Sequence, residues 1–220
     1  MAKKPRKKTS RASKGKSRKA PRDSKGVPDR IIDAALTLAA ARGWRRTGLS
    51  DIAAEAGVTL AELRGAFSSK ASILNGFVRR TDNQVLAMGM AEGSSARDRL
   101  FDLLMRRFDV LHPYRDAVSA IVRDSVSDPL APLCHGPRLI CSMAWMLEAA
   151  GLNSAGPGGM IRTKGLALVY LAALRAWLTD DSADQARTMA VLDRGLRQAE
   201  ALARILFPSA PKKTGKAKKA

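Results

Sequence analysis

The chain has 220 residues, of which 45% are hydrophobic and only 5% aromatic, and its formal net charge is +19. That length and apolar content suffice for one large domain or two small ones with a buried core. The longest apolar run, residues 165–174, is too short to span a bilayer, which argues against an integral membrane protein. Two cysteines supply no disulfide framework and fit a reducing compartment, so we expect a cytoplasmic protein.

The positive charge is concentrated at the two ends of the chain. Residues 1–26 contain 12 Lys or Arg and one Asp, and residues 212–220 contain five Lys and no acid, which leaves +3 for the rest. We predict disordered basic tails at 1–26 and 209–220, because neither segment has the apolar content to fold. The first has no apolar region typical of a secretory signal. A basic arm of this kind adds phosphate contacts to a DNA-binding body, although a solubilising tail has the same composition.

The first half of the chain predicts four helices, since Ala, Leu, Met and Arg favour helix and no segment has the two-residue alternation of a strand. The first, VPDRIIDAALTLAAARGW, has apolar residues at helical spacing and stops near Gly43. A second short helix at residues 49–56 is followed by a Gly-Val turn and a third helix that opens at Thr59. Ser69 is the predicted N-cap of a fourth, longer helix that ends before the loop EGSS.

Five further segments show three-and-four spacing and are bounded by Pro, Gly, Asp or Ser. In chain order they begin with RDRLF, PYRDA, RLICS, TKGLA and DQART. The stretch GLNSAGPGG before TKGLA is predicted to be a flexible connection rather than a phosphate-binding loop. The fold class is therefore all-α, with about nine helices in two domains, residues 27–80 and 81–208.

Helix, short helix, tight turn and short helix is the organisation of a DNA-binding helix-turn-helix. The stretches DRIIDAALTLAAARGW, DIAAEAGV and GVTLAELRGAFSSK resemble the N-terminal domain of the TetR family of transcriptional repressors, over residues 29 to about 80. The resemblance implies a TetR-like fold whose second block binds a small effector. It also implies a homodimer, with residues 163–178 and 184–206 as the interface helices.

The third helix would be the one that reads DNA, and its faces follow from the helical period. Leu60, Leu63 and Phe67, together with Ala66 between them, share the face predicted to pack on the first two helices. Ala61 and Gly65 lie opposite, where small residues permit close approach to a groove.

Few strong donors remain on this helix. Arg64 can donate hydrogen bonds to a guanine edge or a phosphate, whereas Glu62 is predicted to form a capping box with Thr59. The TetR family usually carries an aromatic residue at the position of Arg64, and often a His and a Lys at those of Gly65 and Leu60. The predicted DNA-contacting set is Arg45, Arg46, Thr59, Leu60, Ala61, Arg64, Gly65 and Lys70.

Large apolar side chains concentrate in three helices of the second block. Some could line a ligand pocket, and the same residues could equally fill a core. The predicted pocket residues are Met143, Trp145, Met146, Tyr170 and Trp177.

A second resemblance lies in TKGLALVYLAALRAWLTDDSADQARTMAVLDRGL, about forty residues long. Its T-K, V-Y, W-L-x-D-x-S and L-D-R elements are similar to the C-terminal half of the lipid-binding accessory family of ubiquinone biosynthesis. That family has a TetR-like fold but presents an isoprenoid lipid instead of binding DNA. The resemblance implies an alternative function as a lipid-binding accessory protein, and an apolar, elongated ligand.

No group of residues indicates an enzyme. A nucleophile, a base and an orienting group are not found together, and Cys134, His135 and Cys141 lack a structural zinc spacing. We therefore expect no catalytic residue, metal or cofactor. The expected partners are double-stranded DNA, a small apolar effector or lipid, and a second copy of the chain. A third reading, a nucleoid-associated protein that binds DNA through its tails alone, stays open.

Overall fold

The computed structural model describes residues 26–126 and 131–206, with side chains described for 26–125 and 136–205. The predicted tails, apart from Gly26, and the side chains of Cys134 and His135 lie outside this part. The described residues contain nine α-helices, one 3-10 turn and no strand, which confirms the all-α prediction. The helices are α1 (Val27–Arg42), α2 (Leu49–Glu55), α3 (Leu60–Ala66), α4 (Lys70–Ala87), α5 (Ala96–Leu111), α6 (Arg115–Val126), α7 (Ala131–Ala149), α8 (Gly156–Trp177) and α9 (Ala186–Leu206).

Helix α1 is the centre of the N-terminal domain. Its first turn contains a proline, which needs no hydrogen-bond acceptor there, and it ends at Gly43, whose φ of 88° favours glycine. Its buried stripe packs against α2, α3, α4 and α6. The buried residues of the stripe are Ile31, Ile32, Ala34, Ala35, Leu36 and Ala39.

Helix α4 connects the N-terminal domain to the second block. Its N-cap is Ser69, as predicted, whose side chain accepts a hydrogen bond from the amide of Ser72. The first half of α4 packs on α1 through Ile73 and Phe77, and the helix also contacts α5 and α7. One continuous apolar core therefore runs through both domains.

The second block is built around Phe108 of α5, which is fully buried. Its ring stacks on Tyr170 at 5.6 Å and on Trp177 at 5.7 Å between centroids, which fixes α8 against α5. Helices α8 and α9 pack closely, because a Cβ at Gly195 would lie 2.8 Å from Val169. In the described part of the chain no helix is long and apolar enough to cross a membrane.

Two boundaries differ from the prediction. Helix α7 includes Pro137, and α8 begins at Gly156, so the last residues of GLNSAGPGG form the first turn of a helix rather than a flexible connection. The preceding turn is held by its own polar groups, since Glu148 accepts a hydrogen bond from the amide of Ser154 at 2.7 Å. That hydrogen bond lowers the pKa of Glu148.

The start of α9 is organised by Asp180. Its carboxylate accepts hydrogen bonds from the Ser182 hydroxyl and from both the amide and the hydroxyl of Thr188. Because these donors favour the ionised form, the pKa of Asp180 is well below its usual range. The W-L-x-D-x-S element thus has a local structural role.

Candidate nucleic-acid interface and ligand cavity

The turn between α2 and α3 is held by backbone hydrogen bonds. Gly57 has φ of 62°, and the amide of Val58 donates to the carbonyl of Ala53 at 2.9 Å. From α1, Arg30 donates to the carbonyl of Ala56 at 3.1 Å. The angle between α2 and α3 is therefore fixed from both sides.

Thr59 and Glu62 form the predicted capping box at the start of α3. The Thr59 hydroxyl accepts from the amide of Glu62 at 3.1 Å, and the Glu62 carboxylate accepts from the Thr59 amide at 2.8 Å. The carboxylate also accepts from the Thr59 hydroxyl at 2.9 Å. Glu62 is thereby directed to its own helix end, where its charge also favours the helix dipole.

The outward side of α3, which we call the DNA face, consists of Leu60, Ala61, Arg64 and Gly65. All four are exposed, and no atom lies within 4 Å of the position that a Cβ of Gly65 would occupy. Leu60 was predicted to pack inward, and this is wrong: it is 56% exposed. It lies in the first turn of α3.

Arg64 is the cation on the DNA face. One of its Nη atoms donates to the carbonyl of Ser68 at 3.0 Å, just after α3 ends. The guanidinium has five N–H donors, so this single bond leaves others for a base edge or a phosphate. The bond also holds the side chain near the C-terminal end of α3.

Lys70 and the turn between α1 and α2 form a second polar region. The Lys70 ammonium donates to the carbonyl of Trp44 at 2.7 Å and lies 4.3 Å from the centroid of the Trp44 ring. Burial lowers the pKa of Lys70, while the Asp124 carboxylate opposes this change. The ammonium donates this hydrogen bond to the protein, so Lys70 anchors the turn, and its place in the DNA-contacting set stays a prediction. The side chains of Arg45 and Arg46 are exposed.

Asp124 of α6 connects this turn to the second block. Its carboxylate accepts a hydrogen bond from the backbone amide of Arg45 at 2.8 Å. Sequence reasoning missed this residue, because no local pattern indicates a contact across 79 positions.

A cavity of about 520 Å³, which we call the apolar cavity, opens between α4, α5, α6, α7 and α8. Most of its lining is aliphatic or aromatic, which suits a ligand site. Its apolar lining includes Leu74, Phe77, Val118, Ile121, Leu139 and Leu174.

Of the five predicted pocket residues, Tyr170 is the one that lines the apolar cavity among the residues described. Met143, Met146 and Trp177 are fully or almost fully buried and fill the core, and Trp145 is 60% exposed on α7. The structure does not bring those four residues to this cavity. Pattern alone does not separate a residue that fills a core from one that borders a void.

One edge of the apolar cavity is charged. Arg107 of α5 and Asp82 of α4 form a buried ion pair, and the Ser142 hydroxyl donates to Asp82 at 2.7 Å. Arg138 of α7 lies 3.6 Å from the same carboxylate. One carboxylate therefore faces two guanidinium groups. Sequence reasoning missed this cluster, because Asp82 and Arg107 lie 25 positions apart.

The comparison with known protein families gives a match in the part of the chain that contains the DNA face. Residues 31–76 match the family model of the bacterial regulatory proteins of the tetR family. No curated protein sequence matches the chain significantly.

Solved structures extend the likeness to the second block. The TetR transcriptional regulator from Nitrosomonas europaea is 26% identical with a TM-score of 0.63, over 80% of this chain and 99% of that one. A TetR transcriptional regulator from Rhodococcus sp. RHA1 is 18% identical with a TM-score of 0.60, over 79% and 94%. A tetR-family regulator from Streptomyces coelicolor is 17% identical with a TM-score of 0.54, over 82% of each chain. The last two show the fold alone.

The matched segment contains most of α1, all of α2 and α3 and the first part of α4, and so includes the capping box and the DNA face. The matched family model and the fold of the structure from Nitrosomonas europaea are those of transcriptional regulators. Residues 31–76 thus match the helix-turn-helix region of the tetR-family model, in a chain whose fold is that of solved TetR transcriptional regulators.

Proposed function

We propose that the protein is a cytoplasmic, homodimeric regulator that binds operator DNA, and that a small effector in the apolar cavity changes its DNA affinity. The observation that carries the proposal is the DNA face. It is an exposed strip of small residues on the second helix of a helix-turn-helix, with an arginine at its edge. Such a strip lets a helix lie deep in the major groove.

The contacts available on this surface define what it can read. Arg64 can donate two hydrogen bonds to a guanine, and Leu60 and Ala61 present carbon atoms to a thymine methyl. Arg45 and Arg46, exposed in the neighbouring turn, supply phosphate contacts. Because this surface has one strong base-reading side chain, its sequence specificity depends also on the shape of the DNA and on the second half-site.

A dimer is supported by the outer surface of α8 and α9. Clusters of exposed apolar side chains are rare on monomeric proteins, and such clusters mark contact surfaces. Leu168 of α8 is 69% exposed, and Leu202 and Ile205 of α9 are 56% and 76% exposed. Two-fold pairing through these helices gives two DNA faces, and hence two half-sites about one helical turn apart.

The direct experiment is selection of bound sequences from random DNA with the full chain. We expect an enriched pseudo-palindrome, and we expect Arg64→Ala to lose preference at one base position per half-site. His112→Ala, at an exposed side chain just after α5, is the control and should enrich the wild-type sequence. Absence of any enriched sequence would contradict the proposal.

Removal of residues 1–26 separates specific binding from tail-driven binding. We expect weaker binding to all sequences and a smaller salt dependence, with the selected sequence still preferred. If only the tails bind DNA, preference is absent before and after removal. Bound isoprenoid or phospholipid in native mass spectrometry, together with no sequence preference, would instead support the lipid-binding accessory function.

A further inference from the structure

The apolar cavity adjoins a second, polar cleft. This cleft, of about 430 Å³, lies between the end of α3, α4 and α7. We call it the arginine cleft, because Arg64, Arg79 and Arg138 line it. Asn75 and Arg138 border both spaces, so the two are adjacent at these side chains.

The arginine cleft has an excess of positive charge. No carboxylate is found in its lining among the described residues, whose other polar members are serines and Asn75. Arg79 is exposed and has no ion-pair partner within the described part. Arg138 shares the Asp82 carboxylate with Arg107, so that one anion balances two cations.

Buried polar atoms beside the two spaces also lack partners. The Nε atoms of Arg107, in the lining of the apolar cavity, and of Arg138, in the lining of both spaces, are inaccessible to solvent and make no hydrogen bond in the described structure, and neither does Oδ2 of Asp82. Arg107 is almost completely buried. Unpartnered donors beside excess positive charge favour an anionic ligand group, because a buried donor without an acceptor is costly.

We propose that the effector is an amphiphile with an apolar chain and an anionic head group. The chain occupies the apolar cavity, and the head group lies in the arginine cleft, where it accepts hydrogen bonds from Arg79, Arg138 and Arg64. Guanidinium groups bind carboxylate and phosphate oxygens with paired hydrogen bonds, so either head fits the cleft. This inference rests on the effector site of the proposed function and adds the chemical class of the ligand.

The position of Arg64 gives the head group a direct effect on DNA. Arg64 lies on the DNA face and lines the arginine cleft, so it cannot pair fully with DNA and with the head group at once. A bound head group also places negative charge beside α3, where it repels DNA phosphates. Ligand binding therefore weakens DNA binding through competition for one side chain.

The test compares three probes with one chain length: decanol, decanoate and decyl phosphate. Isothermal titration calorimetry of the full chain without DNA measures their affinities, and inorganic phosphate controls for the head group alone. We expect both anions to bind at least about tenfold more tightly than decanol. The two anions distinguish a carboxylate head from a phosphate head.

Two variants locate the head group. Arg79→Ala, at an exposed and unpaired side chain, and Arg138→Gln should each reduce the affinity for the preferred anion about tenfold and leave decanol unchanged. Arg187→Gln, outside both spaces, is the charge-matched control. The basic tails are the same in all variants, so their contribution cancels.

The readout on DNA uses fluorescence anisotropy with the selected sequence. The preferred anion should displace DNA from the wild type, and Arg64→Ala should reduce that anion's affinity. Equal affinity for decanol and both anions would overturn the inference, even with specific DNA binding intact. Tighter anion binding that Arg79→Ala and Arg138→Gln leave unchanged would also overturn it. Because calorimetry needs no DNA, a failure of sequence-specific DNA binding would leave these outcomes readable.

Discussion

Two glycines of the helix-turn-helix domain give a matched test of the structure. Gly65 lies in α3 on the DNA face, where a Cβ meets nothing within 4 Å. Gly76 lies in α4, where a Cβ would lie 2.7 Å from Cε1 of Phe67 and 3.3 Å from Cδ1 of Ile32. The same substitution, Gly to Ala, should therefore have opposite effects at the two positions.

At Gly65 the substitution removes backbone freedom from the unfolded chain without a clash. Alanine in a helix interior is favoured over glycine by about 0.5–1 kcal/mol, so we expect Gly65→Ala to raise the free energy of unfolding by about 0.5 kcal/mol in this short helix. At Gly76 the same gain is outweighed by overpacking, which costs about 1–3 kcal/mol. The expected net loss for Gly76→Ala is about 1 kcal/mol.

Urea unfolding followed by far-ultraviolet circular dichroism measures both changes. The midpoint should rise for Gly65→Ala and fall for Gly76→Ala, with the slope unchanged. If Gly65→Ala destabilises the domain as much as Gly76→Ala does, α3 does not have the exposed face described above.

The functional half of the test is Gly65→Glu, compared with Gly65→Lys. Both residues are good helix formers, so the fold should persist in each. A carboxylate on the DNA face repels phosphates, and we expect Gly65→Glu to bind the selected DNA at least about tenfold more weakly than Gly65→Lys. Equal affinities of the two variants would show that this face does not approach DNA.

Three further predictions concern the second block. Leu168→Glu should convert a dimer to a monomer in sedimentation equilibrium, whereas Met90→Glu, at a side chain 93% exposed between α4 and α5, should not. Arg107→Met should lower the free energy of unfolding in urea by about 3 kcal/mol, because it leaves the Asp82 carboxylate buried with weaker compensation. The hydrogen bonds that lower the pKa of Asp180 stabilise the fold at pH values above its ordinary pKa of 3.8. This stabilisation is lost as the pH falls below that value. Asp180→Asn should therefore lose less stability on acidification than the wild type, as measured by thermal unfolding between neutral and acid pH.

Sequence reasoning succeeded where a structure depends on neighbouring residues. The capping box of Thr59 and Glu62 and the N-cap Ser69 were predictable, because each hydrogen bond joins residues three positions apart. The buried stripe of α1 was predictable for a similar reason, since it repeats with the helical period.

The prediction for Leu60 failed for a physical reason. The helical period assigned it to the same face as Leu63 and Phe67, and those two are buried. The period gives a direction around the helix axis but not the point along the axis where the covering helix ends. Leu60 is in the first turn of α3 and is exposed, so a shared direction does not decide its burial.

The apolar cavity was less predictable than the helices. Tyr170 lines it, but the cavity exists because five helices meet without filling the space between them. Met143 and Met146 are as apolar as the residues that line the apolar cavity, and only their tertiary position places them in the core. The Asp82–Arg107 pair likewise joins residues 25 positions apart, which no local pattern indicates.

Helices α4 and α6 both extend from the apolar cavity to the DNA-binding domain, and this determines how the cavity can affect DNA. Helix α4 lines the cavity with Leu74 and Phe77 and anchors the α1–α2 turn through Lys70 at its first residue. Helix α6 lines the cavity with Val118 and Ile121 and holds the same turn through Asp124. A ligand that changes the spacing of α4 and α6 must therefore move or release the turn that carries Arg45 and Arg46. The ligand has this effect only if it binds one spacing of the two helices more tightly than the other. The free energy of coupling between ligand and DNA then equals the difference between the ligand's two binding free energies.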